Sequence, residues 1–252
     1  MRAMPAKARA EASGTGLILA AAGSGRRLGA GVPKAFVKLA GEAMLVRSAR
    51  SFVEALPSVE IVVAAPPGHE ARARRLLERA GLSRNLRAVV AGGRSRQESV
   101  LNALRALGPA AGVVLIHDAA RPLVNPGLIL RVARAAREHG AAVPCVPLAD
   151  TVKEVTRGHV RRTLDRSRLV AAQTPQGFRR ELLEKAFRRA GRRGLPAATD
   201  DASLVERIVP GGVCVVEGDR ANVKVTTPED LAWCEFVLSR GAKARRREQK
   251  RS

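Results

Sequence analysis

Short apolar runs alternate with amphipathic segments through residues 17–146, and this alternation is the strongest constraint on the fold. The runs are apolar throughout, which is typical of strands buried on both faces of a parallel sheet. The regular alternation of strands and helices predicts an α/β protein with a doubly wound, mostly parallel sheet. The predicted strands are Leu17–Ala22, Val59–Ala64, Leu86–Ala91, Gly112–Ile116 and Ala141–Val146, and the predicted helices are Met44–Leu56, Glu70–Ala80, Arg96–Leu107 and Leu128–Glu138.

The alternation changes after Pro147, where two short β-prone runs follow each other. Thr151–Val155 and His159–Leu164 are separated by Thr156-Arg157-Gly158, a turn of the kind that closes a β-hairpin. We expect this hairpin to project from the sheet as an arm that covers about residues 149–172. The elements predicted after it are a helix over Arg179–Arg189, a strand over Val213–Glu217 and a helix over Pro228–Leu238 capped by Thr226 or Thr227.

Length and composition favour one globular domain. The chain has 252 residues, of which 46% are hydrophobic and 27% charged, so overall disorder is excluded. We expect a domain over residues 16–240, preceded by a disordered segment over residues 1–15 and followed by a basic disordered tail over residues 241–252.

Cysteine usage and the first residues bear on the compartment. Cys145, Cys214 and Cys234 lie far apart in sequence with no CxxC pair, which argues against a disulfide framework or a zinc site. The first sixteen residues contain no apolar run of a secretory signal, and the run from Leu17 is too short to span a bilayer. We therefore expect a soluble, cytoplasmic protein without a membrane partner.

The net charge of +22 raises the question of nucleic-acid binding. Aromatic residues make only 2% of the chain, and no basic segment is interleaved with them, so stacking on bases has few side chains to use. We interpret the arginine-rich surface as a solvated one. Nucleic-acid binding remains the alternative from another class of function.

A glycine-rich loop follows the first predicted strand, at the edge of the sheet where α/β proteins collect ligands. It contains Gly23, Gly25 and Gly29, which let the backbone approach phosphate oxygens, together with Arg27 and Lys34. The third glycine falls one residue late for a dinucleotide fingerprint, and Lys34 lacks the following Ser or Thr of a P-loop. The loop therefore indicates a polyphosphate site of another kind.

Residues 19–29 with Pro33-Lys34 resemble the signature of nucleotidyltransferases that activate sugar and polyol phosphates. Six further motifs narrow the resemblance over residues 17–238 to the 2-C-methyl-D-erythritol 4-phosphate cytidylyltransferase family of the non-mevalonate isoprenoid pathway. They are Gly92–Val100, His117–Pro122, Asp150–Lys153, Thr174–Gln176, Thr199–Asp201 and Asn222–Thr226, in that order. The resemblance implies a Rossmann-like nucleotidyltransferase fold and cytidylyl transfer from CTP to methylerythritol phosphate with release of pyrophosphate.

The same resemblance implies roles for individual residues. Arg27 and Lys34 would stabilise the transition state, while Arg166 and Lys224 would hold the acceptor phosphate, and these four form the expected catalytic set. The cofactor implied is Mg²⁺ or another divalent cation bound with CTP. The residues expected to bind the nucleotide are Ala20, Ala21, Ala22, Gly23, Gly25, Gly93, Arg96 and Ser99.

On the acceptor side, the resemblance implies binding by Asp118, Arg121, Thr151, Thr174 and Thr199, with Asp118 also a candidate metal ligand. It further implies a homodimer formed through the arm. Four of these positions have a structural alternative: Asp118 and Arg121 as an ion pair, and Thr174 and Thr199 as helix or turn caps. Asp200 or Asp201 can cap a helix that begins near Ser203. His117 is interpreted as a packing or hydrogen-bonding residue rather than a base.

Two alternatives remain open, one enzymatic and one from another class of function. A cytidylyltransferase for ribitol 5-phosphate would share the fold and the glycine-rich loop, so the motifs favour methylerythritol phosphate without settling the acceptor. A nucleic-acid-binding protein on an inactive transferase fold would need none of the four expected catalytic residues. The family also contains fusions with a downstream cyclodiphosphate synthase, and we expect this chain to be the monofunctional form.

Overall fold

The computed structural model describes residues 14–23, 25, 28, 31–193, 200–206, 208 and 211–249. A mixed, mostly parallel sheet runs through its centre with helices on both faces. The strands are β1 (Thr15–Ala20), β2 (Lys38–Leu39), β3 (Glu42–Ala43), β4 (Glu60–Ala65), β5 (Leu86–Ala91), β6 (Val113–Asp118), β7 (Ala141–Pro147), β8 (Lys153–Thr156), β9 (His159–Thr163), β10 (Val170–Ala172), β11 (Gln176–Arg179) and β12 (Cys214–Glu217). The helices are α1 (Met44–Ala55), α2 (Glu70–Arg79), α3 (Arg96–Ala106), α4 (Pro126–His139), α5 (Arg180–Arg193), α6 (Ala202–Val205) and α7 (Pro228–Gln249).

The register of the parallel strands brings their carboxyl ends to one edge. In the main sheet, which runs β10-β7-β11-β6-β1-β4-β5 with β12 beside β7, β1 pairs in parallel with both β6 and β4. Ala20 at the end of β1 lies opposite Asp118 on β6 and Ala64 on β4. The loops that follow these strands therefore leave the sheet side by side, as the sequence predicts for a ligand site.

Apolar side chains leave the central strands toward both faces, which confirms the doubly wound fold. Leu17 and Leu19 of β1 pack into the cluster formed with α1, α2 and α4. Ile18, between them, packs into the cluster formed with α3, α5 and α6 on the other face. A strand in this position must be apolar at every residue because successive side chains alternate between two buried layers.

An antiparallel strand lies in the middle of the sheet, where the sequence did not predict one. β11 pairs antiparallel with β6, placing Gln176 opposite Ile116, and also with the start of β7. Gly177 faces α4, where a Cβ atom would come within 2.9 Å of the Val132 and Ala136 side chains, so only glycine permits this approach. A four-residue strand with Gln and Gly shows neither an apolar run nor an alternation, and the helix predicted from Arg179 follows it directly as α5.

The predicted hairpin arm is present as β8 and β9, which pair only with each other in the described sheets. Arg157 and Gly158 at its tip both have positive φ, 50° and 79°, as a tight hairpin turn requires. The arm starts and ends on neighbouring strands, because Val170 of β10 pairs with Pro147 of β7. It therefore projects from one place on the sheet.

The ends of the domain differ from the prediction. Thr15 is the buried first residue of β1, so the segment expected to be disordered is too long by at least this residue; residues 1–13 lie outside the described part. At the other end, α7 continues to Gln249, and residues 241–249 are helical rather than disordered. The helix begins at a reciprocal cap: the Thr227 hydroxyl accepts from the Asp230 N–H, and Asp230 Oδ2 accepts from the Thr227 N–H.

Candidate active site

A cavity of about 470 Å³ opens at the carboxyl edge of the sheet, beyond β1, β5 and β6. It brings together most of the residues that the sequence predicts for the nucleotide and the reaction. The predicted residues in its lining are Ala20, Ala21, Ala22, Gly23, Gly25, Lys34, Gly93, Arg96, Ser99, Asp118 and Lys224. The cavity is therefore the candidate active site.

The loop after β1 holds Lys34 against Gly25. Gly25 has a φ of +65°, and a Cβ atom there would lie 2.7 Å from Lys34 Cβ. Both the backbone conformation and the close contact therefore require glycine at this position. Lys34 itself begins a short 3-10 turn after Pro33. Arg27, the other residue expected to stabilise the transition state, lies outside the described residues.

The loop between β5 and α3 forms the facing wall through a set of serine hydrogen bonds. Ser99 Oγ accepts from the Gly93 N–H at 2.9 Å and donates to the Ser95 carbonyl at 2.8 Å. The Ser95 hydroxyl in turn accepts from the Glu98 N–H, which caps α3. Gly92 lies so close to the first loop that a Cβ atom would be 2.3 Å from Ala22 Cβ. Backbone rather than side chains therefore forms both walls.

Asp118, at the end of β6, is held between two cations on the cavity surface. Arg96 places Nε and Nη2 each 3.2 Å from Oδ1, and Lys224 Nζ lies 2.6 Å from Oδ2. Burial acts to raise the pKa of Asp118, but the Arg96 and Lys224 charges outweigh it and hold that pKa well below its usual range. The carboxylate is therefore ionised at neutral pH.

The ion pair between Asp118 and Arg121, considered as the structural alternative for these residues, gives way to other contacts. Arg121 Nη1 donates to the Asn222 carbonyl at 2.7 Å, and the Asn222 side-chain amide donates to the Thr174 carbonyl at 2.8 Å. Arg121 and Thr174, both expected to bind the acceptor, thus lie behind the cavity wall and are absent from its described lining. They link the loop that carries Asp118 to the loop that carries Lys224.

His117 is fully buried behind Asp118, packs against Phe52 in a tilted arrangement with ring centroids 5.0 Å apart, and forms hydrogen bonds through both ring nitrogens. Its Nε2 lies 3.1 Å from the Arg121 carbonyl, and its Nδ1 lies 3.1 Å from Thr174 Oγ1. Because the Arg121 carbonyl can only accept a hydrogen bond, the ring proton is on Nε2, and in the neutral ring Nδ1 accepts from the Thr174 hydroxyl, whose oxygen also accepts from the Asp118 N–H. Burial lowers the pKa of His117 to about 4, so the ring is neutral, as expected of a structural histidine.

The arm residues stay apart from the cavity within this chain. Thr151 and Arg166 are exposed and are absent from the described lining, and the Arg166 guanidinium donates to the Ala149 carbonyl. Thr199, the last residue expected to bind the acceptor, lies outside the described residues.

The two adjacent aspartates before α6 have different roles. Asp200 Oδ1 accepts from the Ser203 N–H at 3.0 Å and is the helix cap. Asp201 is completely buried and makes no side-chain cap; its Oδ2 lies 2.6 Å from Arg96 Nη1. The sequence does not predict this contact with the candidate active site, because either of two consecutive aspartates at the start of a helix can be its cap.

The described residues contain no group of three His, Cys, Asp or Glu side chains that is close enough to hold a metal ion. Asp118 is the single carboxylate among the described residues of the cavity lining. That donor set fits Mg²⁺ only in the mode in which substrate phosphates and water supply the other ligands.

A glycine-walled cavity with lysine and arginine at the carboxyl edge of an α/β sheet is typical of the class of α/β proteins that bind nucleotides. The sequence profile described as "2-C-methyl-D-erythritol 4-phosphate cytidylyltransferase" matches residues 16–240. The chain belongs to this family.

Relatives from several bacteria agree. The 2-C-methyl-D-erythritol 4-phosphate cytidylyltransferase of Geobacillus kaustophilus is 42% identical, over 88% of this chain and 96% of its own. A bifunctional IspD/IspF enzyme of Anaeromyxobacter is 47% identical, and the chain spans only 56% of its length. The crystal structure of the Thermus thermophilus cytidylyltransferase has a TM-score of 0.72 at 36% identity, covering 88% of this chain and 97% of that one.

The protein is therefore an enzyme that transfers a cytidylyl group from CTP to 2-C-methyl-D-erythritol 4-phosphate, as the main sequence interpretation holds. The ribitol 5-phosphate alternative receives no support from these relatives. Within the described residues, no helix has the length and apolar character needed to cross a membrane.

We expect His117→Gln to flatten the pH dependence of stability between pH 6.5 and 4. Because burial lowers the pKa of His117 to about 4, the unfolded chain binds a proton in this window that the folded chain does not. The free energy of unfolding then falls as the pH falls from 6.5 to 4, by roughly 3 kcal/mol for this residue. Urea denaturation at several pH values measures the slope.

The depressed pKa of Asp118 lowers the stability as the pH falls below about 5, but it does so in the wild type and in the variant alike, so it cancels from the comparison. His159→Gln, in the exposed arm, is the matched control and should keep the wild-type slope. Parallel curves for the wild type and His117→Gln would contradict the assignment of a buried, neutral imidazole.

Proposed function

We propose that the described cavity is where the cytidylyl transfer takes place. The observation that carries this proposal is the convergence of Lys34, Arg96, Asp118 and Lys224 on one cavity with glycine walls. Such a surface is suited to two phosphate-bearing substrates, because its cations can offset their charge. The nucleotide lies against the loops after β1 and β5, and the acceptor lies beside the Asp118–Lys224 pair.

The reaction is an in-line displacement at phosphorus. A phosphate oxygen of the acceptor forms a bond to the α-phosphorus of CTP, and the bond from that phosphorus to the bridging oxygen breaks, releasing pyrophosphate. The acceptor phosphate is already an anionic nucleophile at neutral pH, so no strong base is needed. Catalysis then consists of positioning and of stabilising the negative charge that gathers at phosphorus. We assign that stabilisation to Lys34 and, from the family resemblance, to Arg27.

Lys224 and Asp118 are the proposed acceptor site. The Lys224 side chain is 44% exposed although it touches Asp118, so its ammonium group can turn toward an incoming phosphate. Asp118 keeps its negative charge through Arg96 and can accept hydrogen bonds from polyol hydroxyls. Arg121 and Thr174, behind this pair, act by holding the two loops together.

Nucleotide choice is assigned to the backbone walls. Ala20, Ala21 and Gly93 bring backbone groups to the cavity surface, and the Gly93 N–H is fixed by Ser99. Closely spaced walls suit a pyrimidine better than a purine.

The divalent cation is proposed to accompany the nucleotide. Asp118 would be its protein ligand and the CTP phosphates the others, which matches the single carboxylate of the described lining. When bound, such an ion supplies further neutralisation of phosphate charge.

A homodimer is proposed to complete the site. Val155 and Val160 face each other across the arm and are 58% and 61% exposed, which is unusual for valine in a strand. Thr151 and Arg166 flank these strands and do not line this chain's own cavity. Pairing of two arms would cover the valines and bring Thr151 and Arg166 to the partner's cavity.

The enzyme is proposed to act in the cytoplasm. Cys145, Cys214 and Cys234 are all free thiols in the structure, which suits a reducing compartment.

We expect pyrophosphate release with CTP, Mg²⁺ and methylerythritol phosphate together, and release at background level when ribitol 5-phosphate, ATP, GTP or UTP replaces its counterpart. The backbone walls of the cavity set the preference for the nucleotide, and Asp118 with Lys224 sets the preference for the acceptor. A coupled pyrophosphate assay measures them. Turnover with ribitol 5-phosphate at a comparable rate would contradict the acceptor assignment and leave the chemistry intact.

Lys34→Ala should lower turnover by about 10²–10³-fold, the effect of removing one preorganised charge-stabilising donor. Lys38→Ala, four residues later and exposed on β2, is the matched control and should stay close to wild type. Steady-state kinetics with both substrates saturating gives the comparison. A Lys34→Ala enzyme within a few-fold of wild type would refute its role.

Glutamate at both arm valines should give a monomer with much reduced turnover, because two charges would oppose burial of the arm. Light scattering coupled to size exclusion measures the mass of Val155→Glu/Val160→Glu against the wild type. Val215→Glu, on a residue that is 58% exposed in β12, is the control for an added surface charge. A fully active monomeric wild type would contradict the shared site.

A further inference from the structure

Asp201 is a completely buried carboxylate that lies just outside the cavity lining. Its Oδ2 is 2.6 Å from Arg96 Nη1, while its Oδ1 is buried and has no hydrogen-bond partner in the described structure. Burial raises the pKa of Asp201, and the Arg96 charge opposes that rise. Burial of a carboxylate costs desolvation free energy. Helix capping does not explain this burial, because Asp200 already caps the helix.

The backbone of Asp201 is fixed to the centre of the sheet by one side chain. Gln176 Oε1 accepts from the N–H groups of Asp201 and Ala202, at 3.1 and 2.9 Å, and Gln176 Nε2 donates to Asp200 Oδ2 at 2.7 Å. Gln176 belongs to β11 and is paired with Ile116, two residues before Asp118 on β6. Asp201 and Asp118 are therefore both fixed relative to the same pair of strands.

Arg96 spans the two carboxylates with different edges of its guanidinium. Nε and Nη2 lie against Asp118 Oδ1, and Nη1 lies against Asp201 Oδ2. The planar group cannot rotate without breaking one set of contacts, so Asp201 fixes the edge that Arg96 presents to the cavity. With Oδ1 of Asp118 taken by Arg96, Oδ2 is directed to Lys224.

We propose that Asp201 is a positioning residue for the transfer, which holds Arg96 so that Arg96 orients the Asp118 carboxylate toward Lys224 and the acceptor. This inference rests on the acceptor site proposed above. Replacement of a buried ion pair by apolar groups is often neutral for stability, so the pair is better explained by its geometry than by fold stability. The residue acts on the acceptor side, because the base-binding walls are held independently by the serine hydrogen bonds.

The test compares Asp201→Asn and Asp201→Leu with the wild-type enzyme. Asparagine keeps an acceptor for Arg96 and removes the charge, while leucine removes both at similar volume. We expect kcat/KM for methylerythritol phosphate to fall by about 10-fold in the first and about 10²-fold in the second, the scale of a misplaced reacting group. The Kd for CTP measured by calorimetry without a divalent cation, where Asp118 has no metal to hold, should stay within about threefold of the wild type. The fluorescence-monitored melting profile of Asp201→Asn should remain a single cooperative transition.

A double-mutant cycle shows whether Asp201 acts through Arg96. Arg96→Met alone should lower kcat/KM for the acceptor, and Asp201→Leu added to it should cost little more, because the group it positions is gone. Multiplying losses in the double variant would overturn the inference. Glu60→Gln is the matched control: it weakens another carboxylate–arginine pair, with Arg87, at the amino end of β4 and should leave the kinetics unchanged.

The outcomes separate this inference from the proposed function. A wild-type enzyme that releases no pyrophosphate from CTP and methylerythritol phosphate would refute the function itself. An active wild type with Asp201→Leu within twofold of it would refute the positioning role alone. Losses in Asp201→Asn that affect the Kd for CTP and the acceptor kcat/KM equally would also refute it, since a general disturbance of the fold predicts that pattern.

Discussion

The ionised carboxylate of Asp118 is the group around which the active site is arranged. An uncompensated charge at that depth would cost several kcal/mol, so it persists only because Arg96 and Lys224 lie against its two oxygens. Arg96 is balanced in turn by Asp201. Two carboxylates and two cations thus form a cluster in which opposite charges alternate, and its members come from the start of α3, the end of β6, the start of α6 and the segment before α7.

The sheet fixes the position of this cluster, and glycine residues allow the surrounding loops to approach one another closely. Because β1 and β6 end in register, Ala20 and Asp118 lie side by side without any contribution from the loops. Gly25 and Gly92 then allow backbone to approach to distances that a single methyl group would prevent. The cations are therefore set at the rim of a narrow, backbone-lined cavity. In the proposed function, the walls recognise the base and the charged side chains bind the phosphates.

The sequence predicts those parts of the structure that are encoded locally. The helices and the main-sheet strands up to β7, the arm and the start of α7 carry their own patterns, whereas the two-residue strands β2 and β3 do not. The motifs include most of the residues that line the cavity. The features that the sequence did not predict depend on contacts between residues that are far apart in the chain. β11 is too short to show a period, and its strand pairing depends on β6 and β7. The partners of Asp118 could not be found either, since the nearby Arg121 fits the spacing better than Arg96 or Lys224, which only the fold brings close.

The position of β11 has a consequence for how the chain assembles. β6 and β7 are consecutive in the parallel part of the sheet, yet they do not pair, because β11 lies between them and arrives only after the arm. A nascent chain that ends before residue 176 leaves the open edge of β6 without its neighbour. The arm thus lies in the chain between β7 and β11, which both belong to the main sheet, and is not attached at one end of the chain. Completion of the central sheet and presentation of the arm are consequently one late event in the biogenesis of the protein, and Gln176, which anchors Asp201, enters with that same strand.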